Sequence, residues 1–482
     1  MNRKNLLKGT LVYTLSNVIT KAGSIVFLPI MTRILTVDEY GIIGSLSPIT
    51  VFFTVILGFG LYNAQMKKYI VLKDDKKELG SYLFSTNFLL IVVNVLFLLF
   101  LLTPFSAQIF AKIPGLDKIS YNPLVILSIV IAVVNVFNTL AITFFRMQKK
   151  YFLVAVGSLI SFFSNYLLAI YFISKLRLGA LGYILANLIA VVILFLFYAK
   201  GYIGKFRMPL KKVYVKYAVI NGFPLVFIEL TDQVVNLSDR LILLMFLDLK
   251  IVGYYTLAYT GGRVLSVITG SFINSWTPEF YEIMSKNSKD KSVTKVLEEF
   301  IAILTIVCIF AQVFSPEIIK LIFPVKFYDS IEFIPVILPA VVIQAFYCLD
   351  YFFHFHEDSW YIIFFTFFCM IFNLVFNLLL VPRYGAIIAA WTTLVAFLLR
   401  AILEMIVIRR KYNVGFNYKN LLLYLILMVN PVILYLGSAN TSLVKLLLKI
   451  VYILVVLKLV VNKEVYGKIL SIIRRFRAKL QK

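Results

Sequence analysis

Fourteen apolar runs, each about as long as a bilayer is thick, follow one another along 482 residues with short polar breaks between them. They fall approximately at 10–35, 40–66, 79–103, 121–145, 151–173, 179–199, 213–247, 251–276, 297–323, 331–353, 361–381, 385–408, 420–437 and 442–461. Hydrocarbon supplies no hydrogen-bond partner, so every backbone N–H and C=O in such a run must be satisfied within the protein. A helix does this inside one segment, whereas barrel strands are shorter and alternate in polarity. The runs are therefore read as membrane-crossing α-helices, for which about 20 residues suffice. Composition agrees: 15% of residues are charged, against roughly 25% in a soluble domain, and mean hydropathy is +0.93. A soluble multidomain enzyme is excluded. The seventh run exceeds a straight span and is expected to bend at Pro224 or to protrude.

The net charge of +25 would suggest nucleic acid in a soluble chain, but here the basic residues cluster between apolar runs. Assigned to alternate sides, 33 Lys and Arg fall on the side of both termini, 12 on the other, and Lys21, Arg263 and Arg400 remain inside runs. That asymmetry puts both termini in the cytoplasm, with the clusters facing anionic lipid head groups; no nucleic-acid partner is expected. The N-terminal run continues to Ile34, so it is read as a retained first span and not as a cleaved leader.

A faint internal repeat runs through the chain. Leu35–Gly41 (LTVDEYG) ends the first run and Leu247–Gly253 (LDLKIVG) ends the seventh, 212 residues on. Arg177-Leu-Gly-Ala180 and Arg383-Tyr-Gly-Ala386 each join a fifth helix to a sixth, 206 apart. The expectation is an all-α integral membrane protein with a six-helix lobe over 1–210 and a second over 211–415. Two further transmembrane helices would occupy 416–462, and a basic cytoplasmic tail 463–482. Parallel repeats of this kind enclose a central cavity.

Ionisable groups inside spans are the main functional clue, since each costs about 2.5–3.5 kcal/mol on the mildest scale. Lys21 lies mid-way along helix one, Glu229 and Asp232 along helix seven, and Arg263 along helix eight. Asn17, Asn221, Gln233, Asn236, Tyr259 and Asn274 are polar neighbours on the same helices. Two readings stay open. Lys21 and Arg263 attract an anionic group, arginine being suited to bidentate contacts with phosphate. Alternatively, Lys21 pairs with Asp232 or Glu229 and holds the helices together. Both could operate if a substrate phosphate broke the pair and thereby coupled occupancy to movement. Arg33, Asp239 and Arg240 sit near outer helix ends, as an interfacial group or as a gate. Arg400 and Glu404, four apart, share one face of helix twelve.

Other chemistries lack their signatures. There is no GxxxxGK[ST], GxSxG or HExxH motif. Cys308, Cys348 and Cys369 are isolated in apolar runs, and His354 and His356 have no ligand set around them, so no metal or cofactor is expected. Energy would come from a Na+ or H+ gradient acting on the intramembrane charges, or from the substrate's own gradient.

Leu6-Leu-Lys-Gly-Thr10, Pro29–Gly41 (PIMTRILTVDEYG), Asn236–Arg240 (NLSDR) and Phe246–Ala258 (FLDLKIVGYYTLA) resemble the polysaccharide biosynthesis, or lipid-linked oligosaccharide flippase, family. That family lies within the multidrug/oligosaccharidyl-lipid/polysaccharide exporter superfamily, and the likeness extends over essentially the whole chain. It implies a MATE-like fold of about fourteen helices in the bacterial plasma membrane. The implied activity is transport: a polyprenyl-diphosphate-linked sugar unit passes from the inner to the outer leaflet by alternating access. Lys21 and Arg263 match by position the cavity cations of helices one and eight that hold the diphosphate in related flippases. Arg33 and Arg240 match less closely, and lysine stands at position 21 where some relatives carry arginine. Partners implied are the anionic lipid-linked glycan, membrane lipids, and the polymerase and glycosyltransferases of the same biosynthesis. The alternative is a cation-coupled multidrug exporter of the same fold, for which a net acidic cavity would speak.

Overall fold

The computed structural model describes residues 3–287, 291–438 and 442–460, with side chains from Ser16 onward other than Asn17, Lys291 and Pro431. The Asn17 side chain and the basic tail 463–482 lie outside the described residues. Every apolar run is helical. The chain forms α1 (Arg3–Ile34), α2 (Val37–Gly58), α3 (Leu61–Leu72), α4 (Lys76–Leu101), α5 (Pro104–Ala111), α6 (Ile126–Met147), α7 (Tyr151–Ser174), α8 (Gly179–Ile203) and α9 (Lys212–Phe246). It continues with α10 (Leu249–Lys286), α11 (Lys291–Val313), α12 (Ser315–Ile322), α13 (Ile334–Ile343), α14 (Asp350–Phe355) and α15 (Trp360–Tyr384). The last are α16 (Ile387–Tyr412), α17 (Tyr418–Met428), α18 (Pro431–Leu436) and α19 (Leu443–Val460). Among the described residues, 11 helical segments are long and apolar enough to cross a membrane; α1, α10 and α19, which carry the first, eighth and fourteenth runs, are not counted among them.

Four runs are broken where the backbone demands it. The second splits at Phe59 and Gly60, both left-handed (φ 51° and 62°). The ninth ends at Val313 because Pro316 opens a new helix, and the thirteenth divides before Pro431 in the same way. In the tenth, a 3-10 turn over Gln344–Leu349 separates α13 from α14. The seventh run forms one 35-residue helix with Pro224 inside it.

Two compact units result. One holds the described residues up to Thr256 together with Asn377–Ala386; the other holds Leu257–Phe376 and the described residues from Ile387 on. In the first unit α8 packs on α7 and α6, α1 lies on α7, and α9 rests against α2, α3 and α4. In the second, α13 packs on α16 and α11, and α11 also carries α17, α18 and α19.

Within the first unit the start of α2 meets the start of α10 at very close range. A Cβ on Gly41 would overlap the Leu249 carbonyl oxygen, and a Cβ on Gly253 would overlap that of Val37. One turn further along, Gly44 faces the Thr256 hydroxyl. Gly41 and Gly44 thus meet Gly253 and Thr256, each 212 positions later, and the Gly41–Leu249 approach is mirrored by the Gly253–Val37 one, so the contact is reciprocal between the two strips. Thr36 and Glu39 cap α2, the Glu39 carboxylate accepting from the Thr36 N–H at 2.7 Å and the Glu39 N–H donating to the Thr36 hydroxyl at 3.2 Å.

Candidate functional site

In the first unit the α2–α3 break crosses α9 at Gly222, where a side chain at either Gly60 or Gly222 would strike the other's backbone. Glu229 lies seven residues beyond Gly222 and so on the same face of α9. The crossing therefore delivers the first turn of α3 to it. The Tyr62 hydroxyl donates to Glu229 Oε1 in a short contact, and Asn63 Nδ2 donates to the same oxygen at 3.3 Å. Glu229, Tyr62 and Gln233, with Thr54 and Thr139, line a cavity of ≈ 320 Å³. The half-buried carboxylate is thus met by neutral donors in a hollow whose wall also includes Val55, Val136 and Leu140. Neither Tyr62 nor Asn63 was singled out from the sequence; the signal available was a polar pair two residues after a glycine inside an apolar run.

The other residues expected in helices one and seven have separate surroundings. Lys21 is exposed on α1 and makes no ion pair among the described residues; Arg33 is also exposed. Asp232 accepts from Asn236 Nδ2 at its backbone carbonyl (2.8 Å) and carboxylate (3.4 Å), and from Gln233 Nε2 at 3.5 Å. Asp239 and Arg240 are both buried. Asp239 accepts from the Tyr255 hydroxyl at 2.6 Å and from Asn377 Nδ2 at 2.8 Å.

In the second unit Arg263 and Asn274 are exposed on α10, eleven residues apart and on one face. Between them on that face, Gly270 has open space where a side chain would stand. Tyr259, one turn before Arg263, is buried. Arg400 and Glu404 are bonded, as their spacing suggests, through Arg400 Nε to Glu404 Oε1 at 2.6 Å. Asp350, not singled out from the sequence, joins them. Among the described residues no group of three or more His, Cys, Asp and Glu could hold a metal ion.

A multi-pass α-helical membrane protein that keeps charged side chains within its spans has the build of a transporter, and comparison with known proteins agrees. The family model described as "Polysaccharide biosynthesis protein" matches residues 6–284, more than half of the chain, and the protein belongs to that family. A solved structure of the lipid II flippase MurJ in an inward closed conformation is similar, with a TM-score of 0.68 and 15% identity over 92% of this chain and 98% of that one. An inward-facing multidrug resistance MATE family transporter of the MOP superfamily aligns with a TM-score of 0.62 and 14% identity, covering 83% and 94%. A MOP superfamily transporter from Pyrococcus furiosus, described as having a binding pocket of reverse polarity, aligns with a TM-score of 0.52 and 14% identity, covering 85% and 96%. At these identities the likeness is one of fold. No curated protein matches the chain.

Proposed function

We propose that this protein is a flippase that carries a polyprenyl-diphosphate-linked oligosaccharide from the cytoplasmic to the outer leaflet of a bacterial plasma membrane, by alternating access, for cell-surface polysaccharide synthesis. In this reading fourteen helices cross the bilayer in two six-helix lobes, 1–210 and 211–415, followed by two more helices, and both termini are cytoplasmic. Lys21 and Arg263 hold the diphosphate, while Asn17, Tyr259 and Asn274 contact the remainder of the head. Glu229 and Asp232 take part in coupling to Na+ or H+, and Arg33, Asp239 and Arg240 close the outer side. The polymerase and glycosyltransferases of the same biosynthesis act before and after it.

The observation that carries this reading is Lys21: a cation within a long apolar run, exposed, with no carboxylate paired to it among the described residues. A charge kept there at such cost favours a role toward a ligand's opposite charge. The reciprocal packing of Gly41 and Gly44 on Gly253 and Thr256 supports the repeat behind the two-lobe reading. The cavity at Glu229 gives the drug-exporter alternative its one favourable feature, since a carboxylate beside a tyrosine suits an organic cation.

Reconstitution with a labelled polyprenyl-diphosphate glycan separates the two. The expected outcome is leaflet exchange well above that of empty vesicles, reduced at least about tenfold by Lys21→Gln and by Arg263→Gln, in line with the loss of one charge-assisted phosphate contact. Lys21→Arg should retain most of it. Exchange at the empty-vesicle level under imposed Na+ and H+ gradients, with efflux of an organic cation instead, would give the assignment to the exporter.

A further inference from the structure

The second unit contains a buried charge cluster remote in sequence from every residue proposed above for the cargo. Arg400 and Glu404 side chains are 4% and 0% exposed, and Asp350 is 16% exposed. One edge of the guanidinium holds both carboxyls: Nε donates to Glu404 Oε1 at 2.6 Å, and Nη2 to Asp350 Oδ1 and Oδ2 at 3.1 and 2.9 Å. Nη1 donates to the Thr366 hydroxyl at 3.0 Å, and the Tyr347 ring lies 3.9 Å beneath the guanidinium carbon. Arginine is therefore fully engaged, and it is one cation against two carboxyls. With both ionised the cluster would carry a net negative charge away from water, a state that is strongly disfavoured. Among the described residues Glu404 Oε2, fully buried, has no hydrogen-bond partner. An ionised oxygen there has nothing to accept from; a protonated one, side by side with Asp350 on the same guanidinium edge, has an acceptor in reach.

We propose that Asp350 and Glu404 form a one-proton site, a single exchangeable proton shared by two carboxyls that Arg400 holds together, loaded from solvent by way of His354. Uptake of one proton from hydronium releases water and takes the cluster from a charge of minus one to zero; loss reverses it. Burial is graded along the route: His354, one turn beyond Asp350 on α14, is exposed, Asp350 is partly exposed and Glu404 is sealed. The groups facing the pair are Tyr347 and Cys348 from the 3-10 turn, His354 from α14 and Arg400 from α16. From α15 the Thr366 hydroxyl reaches the pair's arginine, and α13 has no titratable side chain. A metal ion fits poorly, because three of the four carboxyl oxygens already accept from arginine and any cation would face the guanidinium. The proton belongs to the pair and not to either residue.

Infrared difference spectra of the full chain in lipid nanodiscs, recorded through a pH titration, test this without any cargo. The wild type should show the carbonyl stretch of one protonated, buried carboxylic acid at neutral pH. Asp350→Asn should abolish the band although Glu404 is still present, because one carboxylate then balances Arg400. Glu404→Gln should abolish it too, and Arg400→Gln should double it. His354→Gln should leave the band but slow its hydrogen–deuterium exchange several-fold. Absence of such a band in the wild type, its persistence in Asp350→Asn, or its loss on adding Na+ would overturn the proposal. Use of the site for coupling rests on the transport reading: loss of the pH dependence of leaflet exchange in Asp350→Asn tests that alone, and its failure leaves the spectroscopic result standing.

Discussion

A carboxylate and an ammonium that each interrupt a long apolar run can meet very different fates, and Glu229 and Lys21 are such a pair. The place of each charge along its run was legible from the sequence because an isolated charge among apolar residues needs only counting to find. What satisfies it was not: Tyr62 lies 167 residues from Glu229, and only the crossing at Gly222 brings them together. Tyr62→Phe should therefore cost about 1.5–3 kcal/mol, the worth of a hydrogen bond to a charged group. Thermal unfolding in detergent would register it, and Glu229→Gln in the same background should recover part of the loss. Outside the spans, the loop after α14 has its own acid sensitivity. Hydrogen bonds from Lys411 at 2.8 Å and from Tyr412 at 2.5 Å hold the Asp358 carboxyl below its usual range. Burial, reinforced by Lys411 and opposed by Asp358, pushes His356, stacked 4.0 Å from Tyr412, below its usual 6.5. Both groups bind protons less readily folded than unfolded, so acid favours unfolding. The His356 contribution is complete above the usual histidine value and disappears as pH falls through its lowered one. The Asp358 contribution follows the same course lower down. Unfolding midpoints should fall on acidification; His356→Phe should flatten the curve between about pH 7 and 5, and Asp358→Asn below about pH 4.

At the level of elements, the apolar periodicity located all fourteen helical runs but not their interruptions. Hydropathy is blind to Gly60, Pro316 and Pro431, which change direction without changing polarity. The repeat was visible only as two glycine landmarks, and each has a physical role. Gly179 and Gly385 both adopt positive φ at the turn into a helix, at 53° and 79°. Gly41 and Gly253 allow α2 and α10 to touch backbone to backbone. The crossing makes a graded prediction. A methyl on Gly44 meets the Thr256 side chain, which can be trimmed; a methyl on Gly41 meets the Leu249 carbonyl, which cannot. Gly44→Ala should destabilise by about 1–3 kcal/mol, the usual cost of overpacking, and Thr256→Gly should restore most of it. Gly41→Ala should cost at least as much and respond to no side-chain change on α10. Equal rescue of both would mean that the two helices can separate freely at that point.

For the whole molecule, the number of crossings fixes where the ends of the chain lie, and parity is decisive. Eleven spans would put the termini on opposite sides, fourteen on the same side. The three helices in question, α1, α10 and α19, each have a physical reason to look weak by hydropathy while still being able to cross. α10 has 38 residues, about 57 Å of helix, so its apolar stretch is diluted by charged ends and by Arg263. α19 has 18 residues, about 27 Å, and contains three lysines. Lys449 is buried and donates to both oxygens of Glu317 at 2.7 and 2.8 Å, and Lys445 donates to the Ser438 hydroxyl at 2.6 Å, while Lys458 lies in the last turn. Two lysines neutralised or bonded near one end and a third free to snorkel at the other leave an apolar centre fit for hydrocarbon. α1 carries one charge at mid-helix, Lys21, and basic residues only near its ends. The expected outcome is thus fourteen crossings, with tags on both termini digested by protease in inside-out vesicles and protected in right-side-out ones. A cysteine placed at Ser359 should label from the same side as the termini, and one at Lys175 from the opposite side. Termini that label from opposite faces would mean that an odd number of these three helices stays out of the bilayer, and the count of basic residues on the two sides would have to be drawn again.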